Sequence, residues 1–284
     1  MTLKTVLKTT TAVVLAGLAL MSTPSHAAAI STLFTPGLNE IQDQDAERIL
    51  RGTGTVTTGG YQTGDVIESI LRFDSVNGGT IADSLATPYQ LTAYSQLAIV
   101  AIVDVNGGTL DLNDQIRLIF GASGSLGANT LVNLYERTTN TPNGLVFSNA
   151  VATSIANVTS QTLLGTLGFG EADDFWFADT INNIGLLGTQ GSGQAAAGVF
   201  GLSLLTNPGS LGIIKNGISS PIDSLTHDVV GDTSVFAREV GVNNGWLLSS
   251  NLNASFNVVP EPGSLALAGL GLLGLAAARR RKQK

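Results

Sequence analysis

Carboxylates and aromatic rings are concentrated in one short stretch of the chain, residues 171–179, which reads EADDFWFAD. Asp173, Asp174 and Asp179 carry the hard oxygen ligands that Ca²⁺ takes in groups of about six to eight. Trp176 carries a large ring with an apolar face on which a sugar can stack. The stretch therefore predicts a calcium or sugar contact at these four residues. The alternative is a core strand with acidic residues at its ends.

Histidine chemistry is limited to one residue outside the N-terminal segment. The chain has two histidines and no cysteine, and one of the histidines, His26, lies in a leader segment described below. A His-rich zinc site is thus excluded, and a Ser-His-Asp triad would have to use His227. No nucleophile-elbow motif accompanies His227, so we expect a surface or capping histidine.

Paired carboxylates offer a second route to catalysis. Glycoside hydrolysis needs two of them at a fixed separation, which the sequence does not give. The chain has 21 acidic residues, so some pair always looks suitable. We expect a protein that is not an enzyme, with a secreted hydrolase as the alternative.

The elements that must position these residues have the pattern of an all-β fold. Glycine makes up 34 of the 284 residues, and Asn-Gly pairs of the kind that close hairpins recur along the chain. They separate strand-like segments, which are 66–73, 90–105, 115–120, 130–137, 161–169, 174–178, 199–205 and 252–258. The last alternates apolar and polar residues, which predicts a strand with one wet face. We expect a single β-sandwich or jelly-roll-like domain.

Two segments depart from this pattern. Leu38 to Leu50 carries acids at Glu40, Asp43, Asp45 and Glu47 and predicts one short helix. Gly188 to Gly198 is rich in glycine and small residues and predicts a mobile loop.

The domain between the two chain ends is strongly acidic. Residues 30–257 hold 20 acidic and 7 basic side chains, a formal charge of −13. Such a surface repels nucleic acid and anionic lipid, so no nucleic-acid partner is expected. Divalent cations could bridge it to an acidic polysaccharide. An exported chain without cysteine depends on its core for stability, and about 230 residues suffice for one core.

The N-terminus has the pattern of a secretory signal. Lys4 and Lys8 precede an apolar run from Ala12 to Met21, which Pro24 ends. Small residues follow, and cleavage after Ala27 or after Ala29 fits the requirement of signal peptidase, with Ala27 preferred. We therefore assign residues 1–27 to a signal peptide and residues 28–257 to a β passenger domain.

Residues 258–284 combine three features in a fixed order. Pro260-Glu261-Pro262 forms a stiff, extended joint. Residues 264–278 follow without a charge and with six leucines, and a helix of this length reaches about 22 Å, less than the roughly 30 Å of a bilayer core. A cluster of cations comes next: Arg279, Arg280, Arg281 and Lys282. A short transmembrane helix held by snorkelling cations is suited to transient insertion in the inner membrane.

This order of motif, apolar helix and basic cluster resembles the PEP-CTERM sorting signal. The resemblance implies a Gram-negative bacterium that makes exopolysaccharide. It also implies processing near Pro260–Pro262 by an exosortase, an integral membrane transpeptidase-like enzyme.

The expected function follows from the delivery route. We expect a protein exported through the inner membrane to the cell surface or extracellular matrix, with an adhesive or exopolysaccharide- and biofilm-associated role. The alternatives are the hydrolase above and an ice-binding protein. The latter is suggested by Thr53, Thr55 and Thr57, which alternate along a strand. No cofactor is expected apart from calcium.

Overall fold

A computed structural model describes residues 34–56, 59–80, 90–111, 113–137, 150–180, 194–237, 245–259 and 270–271. These residues form strands and a short helix α1 (Val151–Thr159). The strands are β1 (Gly37–Arg51), β2 (Gly54–Val56), β3 (Val66–Val76), β4 (Gly79–Thr80), β5 (Gln90–Asp104), β6 (Ile116–Ala122), β7 (Thr130–Arg137), β8 (Thr162–Gly168), β9 (Phe175–Thr180), β10 (Gln194–Thr206), β11 (Ile218–Ser219), β12 (Thr226–His227), β13 (Val229–Ala237) and β14 (Leu248–Val258).

Twelve of these strands form one antiparallel sheet, in the order β4-β3-β1-β14-β13-β10-β8-β7-β5-β6-β9 with β2 beside β1. Two further pairings, β3 with β5 and β10 with β9, close the sheet on itself. The long strands β5 and β10 make this closure possible, because each pairs along one edge with two shorter strands in succession. Strand β5 pairs first with β7 and then with β6, and strand β10 pairs first with β9 and then with β8. The closed sheet surrounds the main hydrophobic core.

The expected all-β class is confirmed, but the sandwich or jelly-roll type is not. The hydrogen bonds link the strands of the described ranges into one continuous sheet plus the small pair β11-β12. All eight predicted strand segments overlap observed strands. Strand β13, helix α1 and the short strands β4, β11 and β12 were not predicted. Of the predicted loop 188–198, residues 194–198 lie in β10. The rest of that loop lies outside the described residues.

The predicted helix over residues 38–50 is wrong, because this segment is strand β1. Its acidic residues Asp43, Asp45 and Glu47 are two apart, so in a strand they share one face. Ile41 and Ile49 lie on that same face and belong to the main core. Pairing with β3 along nearly the whole strand outweighs the helical propensity of glutamate and alanine. The acidic residues therefore point into the closed sheet.

Inside the sheet, the acids of β1 interrupt its pairing with β14. Backbone pairing runs to Gln42 and Asn253 and resumes at Glu47 and Leu248. We call the intervening residues, 43–46 and 249–252, the seam. Here the Leu252 N–H donates to Asp43 Oδ1 at 2.6 Å, and the Ser250 N–H and hydroxyl donate to Asp45. Carboxylates thus replace the backbone carbonyls as acceptors.

Burial shifts the protonation of these acids. Desolvation raises the pKa of Asp43 and Asp45 well above the usual aspartate value, and the nearby charge of Glu47 raises both further. The hydrogen bonds from β14 act in the opposite direction but are outweighed. The seam therefore favours protonated aspartates.

A smaller core lies on the outer side of the sheet. The helix α1 places Val158 against Ile70, Tyr94 and Tyr135, and the fully buried Trp246 completes the cluster. The helix thus covers an outer area that would otherwise expose aromatic rings.

No helix among the described residues is long and apolar enough to cross a membrane. Of the predicted transmembrane segment 264–278, only Leu270 and Gly271 are described, and both are helical. Ala27, Pro260, Glu261, Pro262 and the basic residues 279–282 lie outside the described residues.

The raised pKa values at the seam predict how stability depends on pH. The pKa of an aspartate in the unfolded chain is about 3.9. The folded protein keeps Asp43 and Asp45 protonated to higher pH, so the folded state binds more protons above that value. The free energy of unfolding should therefore fall as the pH rises above about 4 towards the folded pKa values. Urea denaturation at a series of pH values measures this slope.

The neutral variants Asp43→Asn and Asp45→Asn should flatten the slope. Asp111→Asn, at an exposed loop position, is the control and should leave it unchanged. Parallel pH profiles for all four proteins would contradict this account of the seam.

Candidate functional site: an outer groove on the closed sheet

A groove of about 300 Å³ lies on the outer surface of β10, β13 and β14. We call it the outer groove. Its principal lining residues are Glu40, Val199, Pro221, Ile222, Val230, Asp232, Asn253 and Ser255. This volume is at the lower end of the range for ligand pockets, and apolar walls with a few polar groups are their usual composition.

Strand alternation explains the floor of the groove. Val199, Asp232 and Asn253 are direct register partners across β10, β13 and β14. Their inward neighbours, such as Phe200 and Leu252, fill the core, so these three face outwards. The Asn253 side-chain amide donates to Asp232 Oδ2 at 3.0 Å, which fixes both side chains.

A tight loop, residues 220–225, forms one wall. The Ser220 hydroxyl accepts from the Ile222 N–H, and Asp223 Oδ1 accepts from the Leu225 N–H. Ser224 adopts a positive φ of 62°, which lets the loop turn back sharply. The loop presents Pro221 and the 53% exposed side chain of Ile222 at the groove.

His227 fastens this loop to the sheet. Its Nε2 lies 3.2 Å from Asp223 Oδ2, and its Nδ1 lies 3.4 Å from Asp174 Oδ1. The predicted surface position is wrong, because His227 is only 1% exposed. The ring packs over Gly201, where an added Cβ would come within 2.8 Å of it. His227 thus holds the wall of the groove in place.

Asp174 holds a second turn, residues 170–174, on the other side of His227. Its Oδ2 accepts from the N–H groups of Gly170 and Glu171 and from the Ser203 hydroxyl, all at 2.7–2.8 Å. The Ser203 hydroxyl donates to Asp174 and not to the imidazole, so this serine is not set up as a nucleophile with His227 as its base. The Asp174–His227–Asp223 chain therefore acts as a support for two loops.

Asp223 lies at the loop end of the Asp174–His227–Asp223 contacts, and its charged form is favoured there. Partial burial raises the pKa of its carboxyl, but the hydrogen bonds from Leu225 and His227 outweigh that and hold the pKa below its usual value. A charged Asp223 strengthens the contact that keeps the loop closed on the sheet.

Trp176 is not available to stack on a sugar. It points inwards from β9, is 6% exposed, and packs with its ring centroid 4.7 Å from that of Phe200. The neighbours Phe175 and Phe177 point outwards instead and are half-buried, with centroids 5.9 Å apart. The alternative interpretation of residues 171–179, a core strand with acids at its ends, matches the position of Trp176.

The three predicted aspartate ligands do not converge. Asp179 forms a two-bond ion pair with Arg117 at 2.7 and 2.8 Å, and the guanidinium also lies 4.3 Å from the Phe177 ring centroid. This carboxylate raises the pKa of Arg117. The carboxylate oxygens of Asp174 already have the hydrogen-bond partners described above. Asp173 is half-buried beside it. Among the described residues, no group of three or more His, Cys, Asp or Glu side chains could hold a metal ion.

Sequence reasoning missed most of the outer groove. Asp232 lies in the unpredicted strand β13, and Glu40 lies in the segment predicted as a helix. The signal that could have found Asp232 is the content of β-branched and aromatic residues in 229–237, VVGDTSVFA, which favours a strand. The wet face of the last strand was predicted correctly, and it supplies Asn253 and Ser255. The threonines Thr53 and Thr55 are exposed around β2, and Thr57 lies outside the described residues.

Comparison with known proteins gives one match in sequence. Residues 258–282 match the family model described as the PEP-CTERM protein-sorting motif. The chain carries an exosortase sorting signal. The PEP-CTERM motif implies an exported protein that an exosortase processes and sorts to the cell surface. No curated protein matches the chain.

A comparison with solved structures gives little further information. The crystal structure of a DUF1329 family protein from Desulfovibrio piger is 10% identical over 84% of this chain and 91% of that chain. Its TM-score of 0.11 is too low to support any argument about fold or function.

The PEP-CTERM motif begins where the sheet ends. The matched region starts at Val258, the last residue of β14, which pairs with Gly37 of β1. The Val259 N–H still donates to the Gly212 carbonyl at 3.0 Å, and Pro260 follows directly. No spacer therefore separates the passenger from its sorting signal.

The support role of Asp174 is tested by Asp174→Ala. The change leaves the buried Ser203 hydroxyl unsatisfied, at about 1–3 kcal/mol, and it also removes the acceptor of the more exposed Gly170 and Glu171 N–H groups and a partner of His227. We expect the free energy of unfolding to fall by about 2–4 kcal/mol, measured by urea denaturation.

The adjacent Asp173→Ala is the matched control and should change stability by about 0.5 kcal/mol or less. If the two aspartates instead shared a calcium site, both changes would destabilise a calcium-loaded protein and Ca²⁺ would raise the Tm of the unmodified one.

Proposed function

We propose that the chain is a cell-surface or extracellular-matrix protein of a Gram-negative bacterium, and that its outer groove contacts exopolysaccharide. The observation that carries the proposal is the pairing of this groove with an exosortase sorting signal on one chain. The signal delivers the protein to the cell surface, and the groove is the feature of the described surface best suited to a sugar.

The chemistry of the groove supports a sugar ligand. Asp232, Asn253 and Ser255 supply acceptors and donors for hydroxyl groups, and they are spaced along neighbouring strands. Pro221 and Ile222 supply an apolar wall against the C–H faces of a ring. The surface is otherwise acidic, so a neutral polysaccharide fits directly, and an acidic one would need Ca²⁺ as a bridge.

The position of the sorting signal supports release of an intact domain. All the sheet pairing described above ends by Val259, so a cut at Pro260–Pro262 removes no strand. The apolar segment begins at residue 264, five residues beyond Val259, a reach of at most about 17 Å. Before processing, the folded passenger therefore lies close to the membrane in which the exosortase works.

Variants of the groove floor test the sugar contact. Purified exported protein is incubated with the host's exopolysaccharide, with and without Ca²⁺, and bound protein is measured. Asp232→Ala and Asn253→Ala should each weaken retention about tenfold, because each removes a hydrogen bond of about 1.4 kcal/mol. Asn251→Ala lies on the same strand and face but outside the groove, so its retention should match that of the unmodified protein. Equal retention of all variants would rule out the groove as the contact.

A hydrolase is the second candidate, because two carboxylates, Glu40 and Asp232, line the same groove. Glycoside hydrolysis uses such a pair, one as acid and one as base or nucleophile. The same incubation distinguishes the two functions. Retention without shortening of the polysaccharide supports adhesion, whereas release of reducing ends that Glu40→Gln and Asp232→Asn abolish supports the hydrolase.

Truncation tests the sorting route. Deletion of residues 264–284 removes the membrane segment and the basic cluster, so the protein should become freely secreted or periplasmic, as measured by fractionation and immunoblotting. In the unmodified strain, mass spectrometry of the mature protein should find a C-terminus within or near Pro260–Pro262. An intact end at Lys284, or an unchanged surface level after the deletion, would contradict exosortase processing.

A further inference from the structure

Two adjoining cavities lie inside the closed sheet, each of about 40 Å³. The first, which we call the apolar chamber, is lined by apolar side chains that include Ile41, Phe73, Phe200 and Phe256. The second, the polar chamber, includes Asp45, Glu47, Ser69, Ser95 and Ser250 in its lining. Leu71, Trp176 and Leu252 line both, so the two chambers are neighbours.

The polar chamber contains a hydroxyl that the protein leaves unpaired. Ser95 is 2% exposed, and its Oγ has no hydrogen-bond partner. A buried hydroxyl without a partner costs about 1–3 kcal/mol, and such groups are uncommon in native proteins. The orphaned Ser95 points to a polar guest that occupies this chamber.

The carboxylates of the same chamber define the charge of that guest. The Ser250 hydroxyl donates to Asp45 and lies 3.3 Å from Glu47 Oε1, so both acids surround one small volume. Ser69 also donates to Glu47 Oε1 at 3.1 Å. An ammonium group offers three donors and a positive charge, which suits two buried carboxyls and a free hydroxyl oxygen.

The chamber volumes set the size of the guest. A water takes up about 30 Å³ in the liquid and a cavity of about 150 Å³ holds one benzene molecule, so each chamber has room for about one water. The two chambers together, about 80 Å³, match a compact molecule of about three or four heavy atoms. The closed circuit of the sheet has eight strands, β3-β1-β14-β13-β10-β8-β7-β5, and closed sheets of eight strands can hold one small ligand.

We propose that the interior binds a small primary amine with an apolar body, whose ammonium group lies between Asp45, Glu47 and Ser95 and whose body fills the apolar chamber. This site is separate from the outer groove and does not depend on the polysaccharide contact. Because the seam favours a protonated Asp45, an entering neutral amine takes the proton of this carboxyl, and the two groups then form an ion pair. Binding also satisfies the Ser95 hydroxyl.

The seam gives this guest a route inwards. At residues 43–46 the strands β1 and β14 are joined by carboxylate side chains and not by a backbone ladder. Rotation of the Asp43 and Asp45 side chains breaks their hydrogen bonds with the Leu252 and Ser250 N–H groups, but no hydrogen bond between two backbone groups joins β1 to β14 here. The polar chamber, which Asp45 lines, lies directly behind this point.

Three molecules of nearly the same shape test the proposal on the mature exported protein. Isopropylamine is the expected ligand, isopropanol its neutral counterpart and acetate its anionic one, each with four heavy atoms. Trp176 lines both chambers, whereas Trp246 lies in the outer core. The fluorescence of a Trp246→Phe variant therefore reports on Trp176 alone, and Tm provides a second readout.

We expect saturable binding of isopropylamine with a rise in Tm. Isopropanol should bind at least about tenfold more weakly, and acetate should not bind. Asp45→Asn should weaken the amine at least about tenfold, and Ser95→Ala, which is less disruptive to folding, several-fold. Asp232→Asn, an acid of the outer groove, is the control and should leave amine binding unchanged.

The outcomes separate this site from the alternatives. Equal affinity for the amine and the alcohol, no binding of the amine, or amine binding that Ser95→Ala and Asp45→Asn leave unchanged would each overturn the proposal. In the second case the chambers hold water alone. Loss of amine binding in Asp232→Asn would also overturn it by placing the amine in the outer groove. Failure of polysaccharide retention has no bearing on these results.

Discussion

The closed sheet depends on a contact that most sheets do not contain, a pair of buried aspartates that replace part of a backbone ladder. At the seam, Asp43 and Asp45 accept the N–H groups that β14 would otherwise give to carbonyls of β1. The strands β1 and β14 lie in the middle of the sheet, between β3 and β13. Failure of this contact would leave buried donors unsatisfied and open the circuit of strands. Continuity of the fold is therefore linked to the protonation of side chains in its core.

Closure of the sheet also determines where a large ligand can bind. The main core fills the interior of the closed sheet around small chambers of about 40 Å³, so a polymer can reach only outward-facing side chains. The outer groove meets this requirement because its floor is the outer face of three strands. Its wall is a loop fastened to the sheet through Asp223 and the buried His227. A residue that suggested catalysis therefore acts by positioning a loop.

The sorting signal is joined to the fold with no intervening linker. The last strand ends at Val258, and the PEP-CTERM match begins at the same residue. The strand completes the sheet by pairing with β1 and β13, so the passenger contains its own final strand before the processing site is reached. Cleavage near Pro260–Pro262 would then separate the domain from residues 264–284 without loss of the described core residues.

Features that depend on a local pattern of residues could be predicted from the sequence. Alternation identified β14 and its wet face, Asn-Gly pairs marked turns such as Asn77-Gly78, and the order of prolines, leucines and arginines identified the sorting signal. These features need no distant partner. The orientation of residues 171–179 was only half determined, because both Trp176 and its phenylalanine neighbours suit a core or a surface.

The remaining features could not be predicted from the sequence, because each depends on contacts between residues far apart in the chain. The acids of residues 43–47 face the interior because β3 and β14 flank them, and Asp45 meets Ser250 across 205 positions. His227 is buried because Asp174, 53 positions earlier, lies beside it. The sheet closes because β3 pairs with β5 and β9 pairs with β10, and no local sequence pattern predicts these pairings. Local propensity amounts to tenths of a kcal/mol per residue, and burial and pairing over a whole strand outweigh it.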